Sequence, residues 1–333
     1  MPDEALREAV ARLEQNLAIE RRLRDEAEAL LACLRALAVA PSLAAADQIL
    51  LHTLQPVLGH HAAGCAWQLA VRPPAPALAA VVAGDYVGYD ESSAAPVHRH
   101  QFANPGAVLI IDLGPPMRLR GPDAPDATTH PTGFLAPPGA PAVITEHDGR
   151  SRGIEVKLTP FGAHLLLINA PMSDLGGRIL GLAHLLADDH DELLDRLHTH
   201  EDWDARFDLL EQALLRRLAR ARPASRELRY ALTRITTSAG RVDIAELAAE
   251  LGRSQKSLIH HFNTQIGLPP KRYARLVRFN HVVQRIRGGA PDDWAELAAS
   301  FGYYDQSHLV HDFREFTGLT PTAARASLTP FPV

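Results

Sequence analysis

Two short runs near the C-terminal end contain the side chains best suited to specific recognition chemistry. They are Gln255, Lys256, Ile259, His260 and Asn263 in the first run, and Gln306, Ser307, Val310 and His311 in the second. A glutamine amide can bond an adenine edge through two atoms, a lysine can donate to guanine, and a branched aliphatic side chain can contact a thymine methyl group. We predict that these residues contact DNA bases; the alternative is an ordinary solvated helix face.

Cations near the two runs suit a different role. They are Lys271, Arg272, Arg275, Arg278 and Arg314. Lysine and arginine bind phosphate oxygens, and such contacts position a protein on a duplex without reading its sequence. We predict phosphate contacts here; the alternative for some of these residues is an ion pair with a neighbouring carboxylate.

Both runs belong to a sequence template that occurs twice, over 243–270 and 293–321, with 50 to 51 residues between equivalent positions. Each copy has the aspartate and glutamate of a capping box, a glycine whose positive φ ends the helix, an N-cap for the next helix, and a closing glycine. These residues are Asp243, Glu246, Gly252, Ser254 and Gly267 in the first copy, and Asp293, Glu296, Gly302, Asp305 and Gly318 in the second.

The template predicts a helix-turn-helix. Leu258 and Phe262, like Leu309 and Phe313, stand four residues apart and bury one face of the second helix, which leaves the opposite face for a partner. A connecting helix over 271–287 is roughly 25 Å long at 1.5 Å per residue, comparable to the ~34 Å between successive major-groove faces. A solenoid is the alternative, but it usually needs three or more copies.

A family resemblance rests on these residues. The segment 242–325 resembles the DNA-binding domain of the AraC/XylS family of bacterial transcription regulators, which carry two helix-turn-helix units joined by a long helix. The most characteristic stretches are 302–313 and 318–321, and Arg278 fits the pattern on the connecting helix. The resemblance implies an all-α DNA-binding domain over 225–326, double-stranded operator DNA as the partner, and RNA polymerase as a second partner if the chain activates transcription. Relatives often carry arginine where His260 and His311 stand here.

Charge and composition bound the rest of the chain. Residues 223–325 hold fourteen Lys and Arg against ten Asp and Glu, whereas the whole 333-residue chain has a net charge of −5. The length favours two or three domains. Cys33 and Cys65 are the only cysteines, too few for a disulfide framework or a Cys₄ zinc site. We find no apolar signal or membrane-length segment, so we expect a cytoplasmic protein with no membrane partner.

Upstream, proline-rich linkers at 72–76 and 221–225 delimit a predicted α+β domain over 80–221. Its first half has six short apolar runs separated by Gly and Pro, which predict a small β-barrel or sandwich. Its second half predicts helices that bridge to the C-terminal domain. The predicted strands are 81–89, 107–113, 117–120, 133–136, 142–147 and 153–158, and the predicted helices are 162–169, 174–186, 191–197 and 203–220.

Over a smaller set of residues, this half resembles the cupin-like sensor domains that precede the DNA-binding domain in many AraC-type regulators. The stretches that carry the likeness are 86–89, 98–100 and 158–163. The resemblance suggests an effector pocket lined by some of Tyr86, Tyr89, His98, His100 and Glu155; the alternative is that these are rim and surface polar residues. A metal-binding cupin needs a glutamate soon after His-x-His, and none follows His100. We therefore predict no metal, no other cofactor and no catalytic residue.

Residues 1–72 predict a separate helical segment. Two heptad-like stripes begin at Leu6 and Leu23, and the stretch 42–71 resembles the opening helix and strand of GAF-type sensors. The helix could pair two subunits into a homodimer as a coiled coil; the alternative is a helix packed on its own sensor domain.

Two functional classes remain open. The first is a transcription regulator that binds specific DNA and responds to a small-molecule effector or a partner. The second is a cupin-like or DNA-modifying enzyme fused to a DNA-binding domain, as in alkylation-repair proteins with an AraC-type domain. Such enzymes need reactive and zinc-binding cysteines, which Cys33 and Cys65 do not match, and the sequence has no phosphate-binding loop. The regulator is the reading that the doubled template favours, and we predict no enzymatic activity.

Overall fold

The fold is known from a computed structural model that describes residues 65–122, 126–166, 171–186, 189–221, 225–287 and 293–328. The predicted N-terminal helix, with its coiled coil and most of its GAF-like start, lies outside the described residues. None of the helices within the described ranges is both long and apolar enough to cross a membrane.

Strands form two sheets in the N-terminal half of the described chain. One has six strands in the order β1-β2-β9-β4-β7-β10, the other four in the order β3-β8-β5-β6, and the pairings among β2 to β10 are antiparallel. The strands are β1 (Cys65–Arg72), β2 (Val82–Ser93), β3 (Val97–Gln101), β4 (Ala107–Asp112), β5 (Arg118–Arg120), β6 (Ala127–Thr129), β7 (Gly133–Ala136), β8 (Val143–His147), β9 (Arg150–Leu158) and β10 (Leu180–Gly181).

The two sheets face each other. Ile110 and Phe134 of the larger sheet pack with Leu119 of the smaller one, so apolar side chains fill one end of the space between them. All six predicted strands are present, several with ends shifted by a few residues. The strand β1, which the sequence grouped with residues 1–72, forms an edge of the larger sheet.

Helices cover the other face of the larger sheet. Phe207 of α4 stacks on Tyr86 of β2 with ring centroids 5.9 Å apart, and Trp203 lies directly over Gly88, which has no side chain to obstruct it. These helices are α1 (Pro160–Leu166), α2 (Leu182–Leu186), α3 (His190–Thr199) and α4 (Trp203–Arg220).

One predicted helix is wrong. The stretch 174–186 instead contains the end of a 3₁₀ turn (Met172–Leu175), strand β10 and the short helix α2. Gly176 and Gly177 have φ values of +56° and +71°, in the left-handed region, and two such residues in succession end a right-handed helix.

The C-terminal domain is entirely helical within the described residues, as predicted. Its helices are α5 (Arg226–Thr237), α6 (Ile244–Glu250), α7 (Gln255–Gln265), α8 (Pro270–Arg287), α9 (Trp294–Ser300), α10 (Gln306–Thr317) and α11 (Pro321–Ser327). We call α6 and α7 the first unit, and α9 and α10 the second. The predicted caps are confirmed: Asp243 and Asp293 each accept two backbone N–H bonds at the start of α6 and α9. The predicted positive φ of the template glycines is also confirmed, at +61° for Gly252 and +72° for Gly302.

Two glycines with the same backbone constraint separate conformational strain from steric exclusion. Gly252 (φ +61°) has open space where a Cβ would lie, whereas a Cβ on Gly240 (φ +75°) would lie 2.1 Å from the carbonyl oxygen of Ala274 in α8. We expect Gly252→Ala to lower the free energy of unfolding by about 1–2 kcal/mol, the cost of a left-handed L-residue. Gly240→Ala should cost clearly more, because α8 must also move. Urea denaturation followed by circular dichroism measures both, and equal losses would contradict the steric account.

Candidate nucleic-acid interface and sheet interior

The first unit presents α7 as its candidate recognition helix. Ser254 caps the helix by accepting the N–H of Ser257, and Leu258 and Phe262 are buried against the rest of the domain. The predicted stripe lies on the other side. Gln255, Lys256, Ile259 and His260 are exposed and Asn263 is half-buried. Ile259 is 39% exposed, which is unusual for an apolar side chain here and leaves it accessible to a partner.

The second unit presents α10 in the same way. Asp305 accepts the N–H of His308, and Leu309 and Phe313 are buried. On the opposite side Gln306, Ser307 and His311 are exposed and Val310 is half-buried. The residues predicted to read bases therefore lie together on each helix. Their contact with DNA stays a prediction.

The long helix α8 joins the two units. It has 18 residues, a length of about 27 Å. Its buried positions include Tyr273, which packs on Phe262 of α7, and Phe279, which packs edge-on against Phe313 of α10 at a centroid distance of 5.1 Å. One helix thus contacts both recognition helices and sets their separation.

The predicted phosphate-binding cations fall into two groups. Lys271 and Arg314 are exposed and form no ion pair within the described part of the chain. Arg272 instead donates to Glu315 at 3.0 Å, and Arg275 donates to both Asp312 (3.1 Å) and Glu315 (2.6 Å). These two match the ion-pair alternative.

Arg278 also has structural partners. Its guanidinium donates to the carbonyl oxygens of Gly302 (2.9 Å) and Gly240 (3.3 Å) and lies 5.1 Å from the ring centroid of Tyr303. It therefore ties the connecting helix to the turn of the second unit. Lys271 and Arg314 are the predicted cations that the structure leaves available for phosphate.

Polar side chains line the space between the two sheets. Side chains alternate across a strand, so Tyr89 and Glu91 of β2 point away from the helices that cover Tyr86 and Gly88. Arg99 of β3 donates to Glu91 at 2.9 Å, and His147 Nε2 of β8 lies 3.0 Å from the same carboxylate. This buried trio links the two sheets. Burial alone would raise the pKa of Glu91, but the hydrogen bonds with His147 and Arg99 hold that pKa below its usual range.

A second group lies next to this trio. Tyr89 pairs with Gly153, which pairs with Asp112, so the three residues form a row across β2, β9 and β4. Gly153 leaves room for the Tyr89 ring, since a Cβ there would lie 2.7 Å from the Tyr89 hydroxyl. Burial, followed by the nearby charge of Asp112, raises the pKa of Tyr89, so its hydroxyl stays a proton donor; Ser151 and Glu155 are also close to it.

Two atoms of this interior lack a partner. Asp112 Oδ1 and His147 Nδ1 are buried and make no hydrogen bond to any residue that the structure describes. Burial raises the pKa of Asp112 to about 6. A buried polar atom without a hydrogen bond is costly, so this space is suited to a polar molecule that supplies the missing bonds.

The five predicted effector residues do not converge on this space. Tyr89 and Glu155 lie near each other, as described above. Tyr86 is on the helix-covered face, where its hydroxyl lies 3.3 Å from Glu211. His98 and His100 flank Arg99 on β3 and so point away from the interior, and His98 lies 3.2 Å from Glu146.

Sequence reasoning missed four interior residues, which are Glu91, Arg99, Asp112 and His147. The available signal was their spacing. Glu91 follows Tyr89 by two positions, and Arg99 stands between the two histidines, so strand alternation alone places them on particular faces.

The β-rich domain contacts the ends of both units. The loop after β3 inserts Ala103 into the core of the C-terminal domain, where its N–H donates to the carbonyl oxygen of Phe316 at 3.0 Å. At the end of α7, Leu268 fills the space over Gly139, and Gly267 lies against Met172. The contacts therefore lie at the C-terminal ends of α7 and α10, away from their capped N-termini.

Comparison with known proteins identifies the C-terminal domain. Residues 247–327 match the model of a helix-turn-helix domain family. The chain carries a C-terminal helix-turn-helix domain of the AraC type. No curated protein matches the chain.

Solved structures with related folds include three regulators. ToxT from Vibrio cholerae has a TM-score of 0.43 at 9% identity, over 71% of this chain and 98% of that one. An AraC-type DNA-binding domain-containing regulator from Chromobacterium violaceum has 0.29 at 20%, over 32% and 95%. The AraC-like transcriptional activator CuxR has 0.28 at 15%, over 68% and 83%.

The ion pair between Arg275 and Asp312 should stabilise this AraC-type domain. Asp312 is fully buried, so Arg275→Ala leaves a buried carboxylate without its cation. We expect a loss of about 3–5 kcal/mol in the free energy of unfolding. The matched variant Arg272→Ala removes a more exposed pair with Glu315 and should cost about 0–1 kcal/mol. Denaturant titration compares the two; an Arg275→Ala protein as stable as Arg272→Ala would show that the buried pair is dispensable.

Proposed function

We propose that this chain is a transcription regulator that binds an asymmetric site in double-stranded DNA through both helix-turn-helix units and responds to a small-molecule effector. The observation that carries the DNA-binding part is the pair of exposed stripes on α7 and α10, held by one buried connecting helix. RNA polymerase contact and homodimer formation stay predictions from the sequence.

The asymmetry of the site follows from the differences between the stripes. The first places Lys256 and Ile259 where the second places Ser307 and Val310, while caps and core residues are shared. A lysine favours a guanine acceptor, whereas a serine is permissive. Each unit should therefore prefer a different half-site, in adjacent major-groove turns of one duplex.

Selection of bound fragments from genomic DNA, followed by fluorescence anisotropy on the selected duplex, tests the DNA-binding roles. Lys256→Ala and Gln306→Ala should each change base preference in one half-site, at ~1–3 kcal/mol per lost contact. Lys271→Ala should weaken all sequences and reduce the salt slope by about one. Arg196→Ala, on the distant helix α3, is the control and should leave binding unchanged. Equal losses on every sequence for the first three variants would contradict the division of roles.

We propose that the effector binds between the two sheets, beside Tyr89 and Asp112. The support is the unpartnered Asp112 oxygen and His147 nitrogen, together with a hydroxyl and a carboxylate directed into the same space. A bound molecule that satisfies these atoms would bind the folded chain alone and so raise its melting temperature.

A metabolite library screened by thermal unfolding tests this site. A true effector should raise the melting temperature of the wild type, and the shift should be lost or greatly reduced in Tyr89→Phe and Asp112→Asn. His98→Ala, on the outward side of β3, should retain it. A ligand whose effect depends on His98 and not on Asp112 would place the site on the outer face of the smaller sheet, and the lack of any responding ligand would count against a sensor.

A further inference from the structure

The two helix-turn-helix units differ in the length of the turn. Equivalent residues are 50 apart up to Gly252 and Gly302, but 51 apart from Leu258 and Leu309 onward. The first turn, between α6 and α7, is 251–254, and the second, between α9 and α10, is 301–305. The additional residue therefore lies in the second turn, where Tyr303 and Tyr304 stand between the glycine and the N-cap.

The two tyrosines have opposite environments. Tyr303 is buried, with its ring 5.1 Å from the Arg278 guanidinium and 5.4 Å from the His308 ring. It anchors the turn to the connecting helix. Tyr304 is 93% exposed, compared with 45% for Tyr230 and 39% for Ile259. Within the described chain, its side chain makes no hydrogen bond or ring contact.

The position of Tyr304 points to what it contacts. It directly precedes Asp305, the N-cap of α10, and the exposed stripe begins at Gln306. The N-terminal residues of a recognition helix are those that enter the major groove, so a side chain just before them meets the sugar-phosphate strand at the groove edge. Tyrosine hydroxyls are among the groups that bond phosphate oxygens.

The first unit has no equivalent group. Its turn offers Arg253, whose guanidinium donates to Glu227 at 3.2 Å. The two turns thus differ in chemistry as well as in length: one holds a paired cation and the other an unpaired neutral donor.

We propose that Tyr304 is a DNA-backbone contact specific to the second unit, in which its hydroxyl donates to a phosphate oxygen and its ring covers the adjacent sugar. The proposal rests on the proposed DNA-binding function. Because the side chain is neutral, it displaces no counterion, and salt dependence of binding arises from counterion release by cations. Loss of the hydroxyl should therefore weaken binding without changing the salt slope, unlike loss of Lys271.

Anisotropy titrations of Tyr304→Phe and Tyr304→Ala against the selected duplex, at several salt concentrations, test the contact. We expect Tyr304→Phe to weaken binding about 3- to 10-fold, in line with a single lost hydrogen bond, and Tyr304→Ala to weaken it further. The loss should be the same on duplexes altered in either half-site. Tyr230→Phe, an exposed tyrosine on α5, is the control. Melting temperatures should be unchanged, because the Tyr304 ring contacts nothing in the folded chain.

The outcomes separate this proposal from the function on which it rests. If the wild type binds no DNA, the proposed function fails and the contact with it. If the wild type binds and both Tyr304 variants bind equally well, only the contact is wrong. A change in base preference, or a reduced salt slope for Tyr304→Phe, would also overturn a neutral backbone contact.

Discussion

The burial of one helix, α8, fixes the geometry on which the rest of the C-terminal domain depends. Two recognition helices can occupy successive turns of a groove only at a set distance and angle. Tyr273 near one end of α8 packs on Phe262 of α7, and Phe279 further along packs on Phe313 and Phe316 of α10. Close-packed aromatic contacts resist sliding because any shift opens a cavity. The two units therefore behave as one body.

Polar contacts supplement this packing at points where the aromatic rings do not reach. Arg275 bonds the buried carboxylate of Asp312, and Arg278 bonds two carbonyl oxygens that belong to the turns at Gly240 and Gly302. Both arginines stand on α8 and reach elements 24 to 38 residues away in sequence. Their positive charge therefore stabilises the arrangement of the helices and is largely neutralised within the protein.

The same long-range partners explain what could and could not be predicted from the sequence. Caps, positive-φ glycines and buried pairs four residues apart depend on local backbone geometry, and these predictions are confirmed. The partner of Arg275 depends on how α10 packs on α8, which no local pattern encodes. In the sheets, the face on which a residue lies depends on register, and an irregularity between Val82 and Tyr86 shifts the register of β2 against β9. This places Tyr86 opposite to Tyr89 and leaves only part of the predicted effector set in the interior.

Strand β3 connects the sheet interior to the second unit. Arg99, within β3, bonds Glu91 across the two sheets, and Ala103, four residues later, bonds the end of α10 through Phe316. A molecule that changes the Glu91 and Arg99 contact acts on a segment whose other end is held in the C-terminal core. Since α7 and α10 are joined rigidly through α8, a displacement at Phe316 would move both recognition helices together, and so change the fit to the whole DNA site.

The charge distribution favours selective over general DNA binding. Nonspecific affinity scales with the number of phosphates that cations neutralise, and here Arg272 and Arg275 are paired with carboxylates while Arg278 is engaged by carbonyl oxygens. Lys271 and Arg314 remain, in a chain of net charge −5. With few free cations, affinity must depend on base edges and neutral donors, whose hydrogen bonds form only when a duplex fits both stripes. A regulator built in this way gains discrimination by giving up electrostatic attraction.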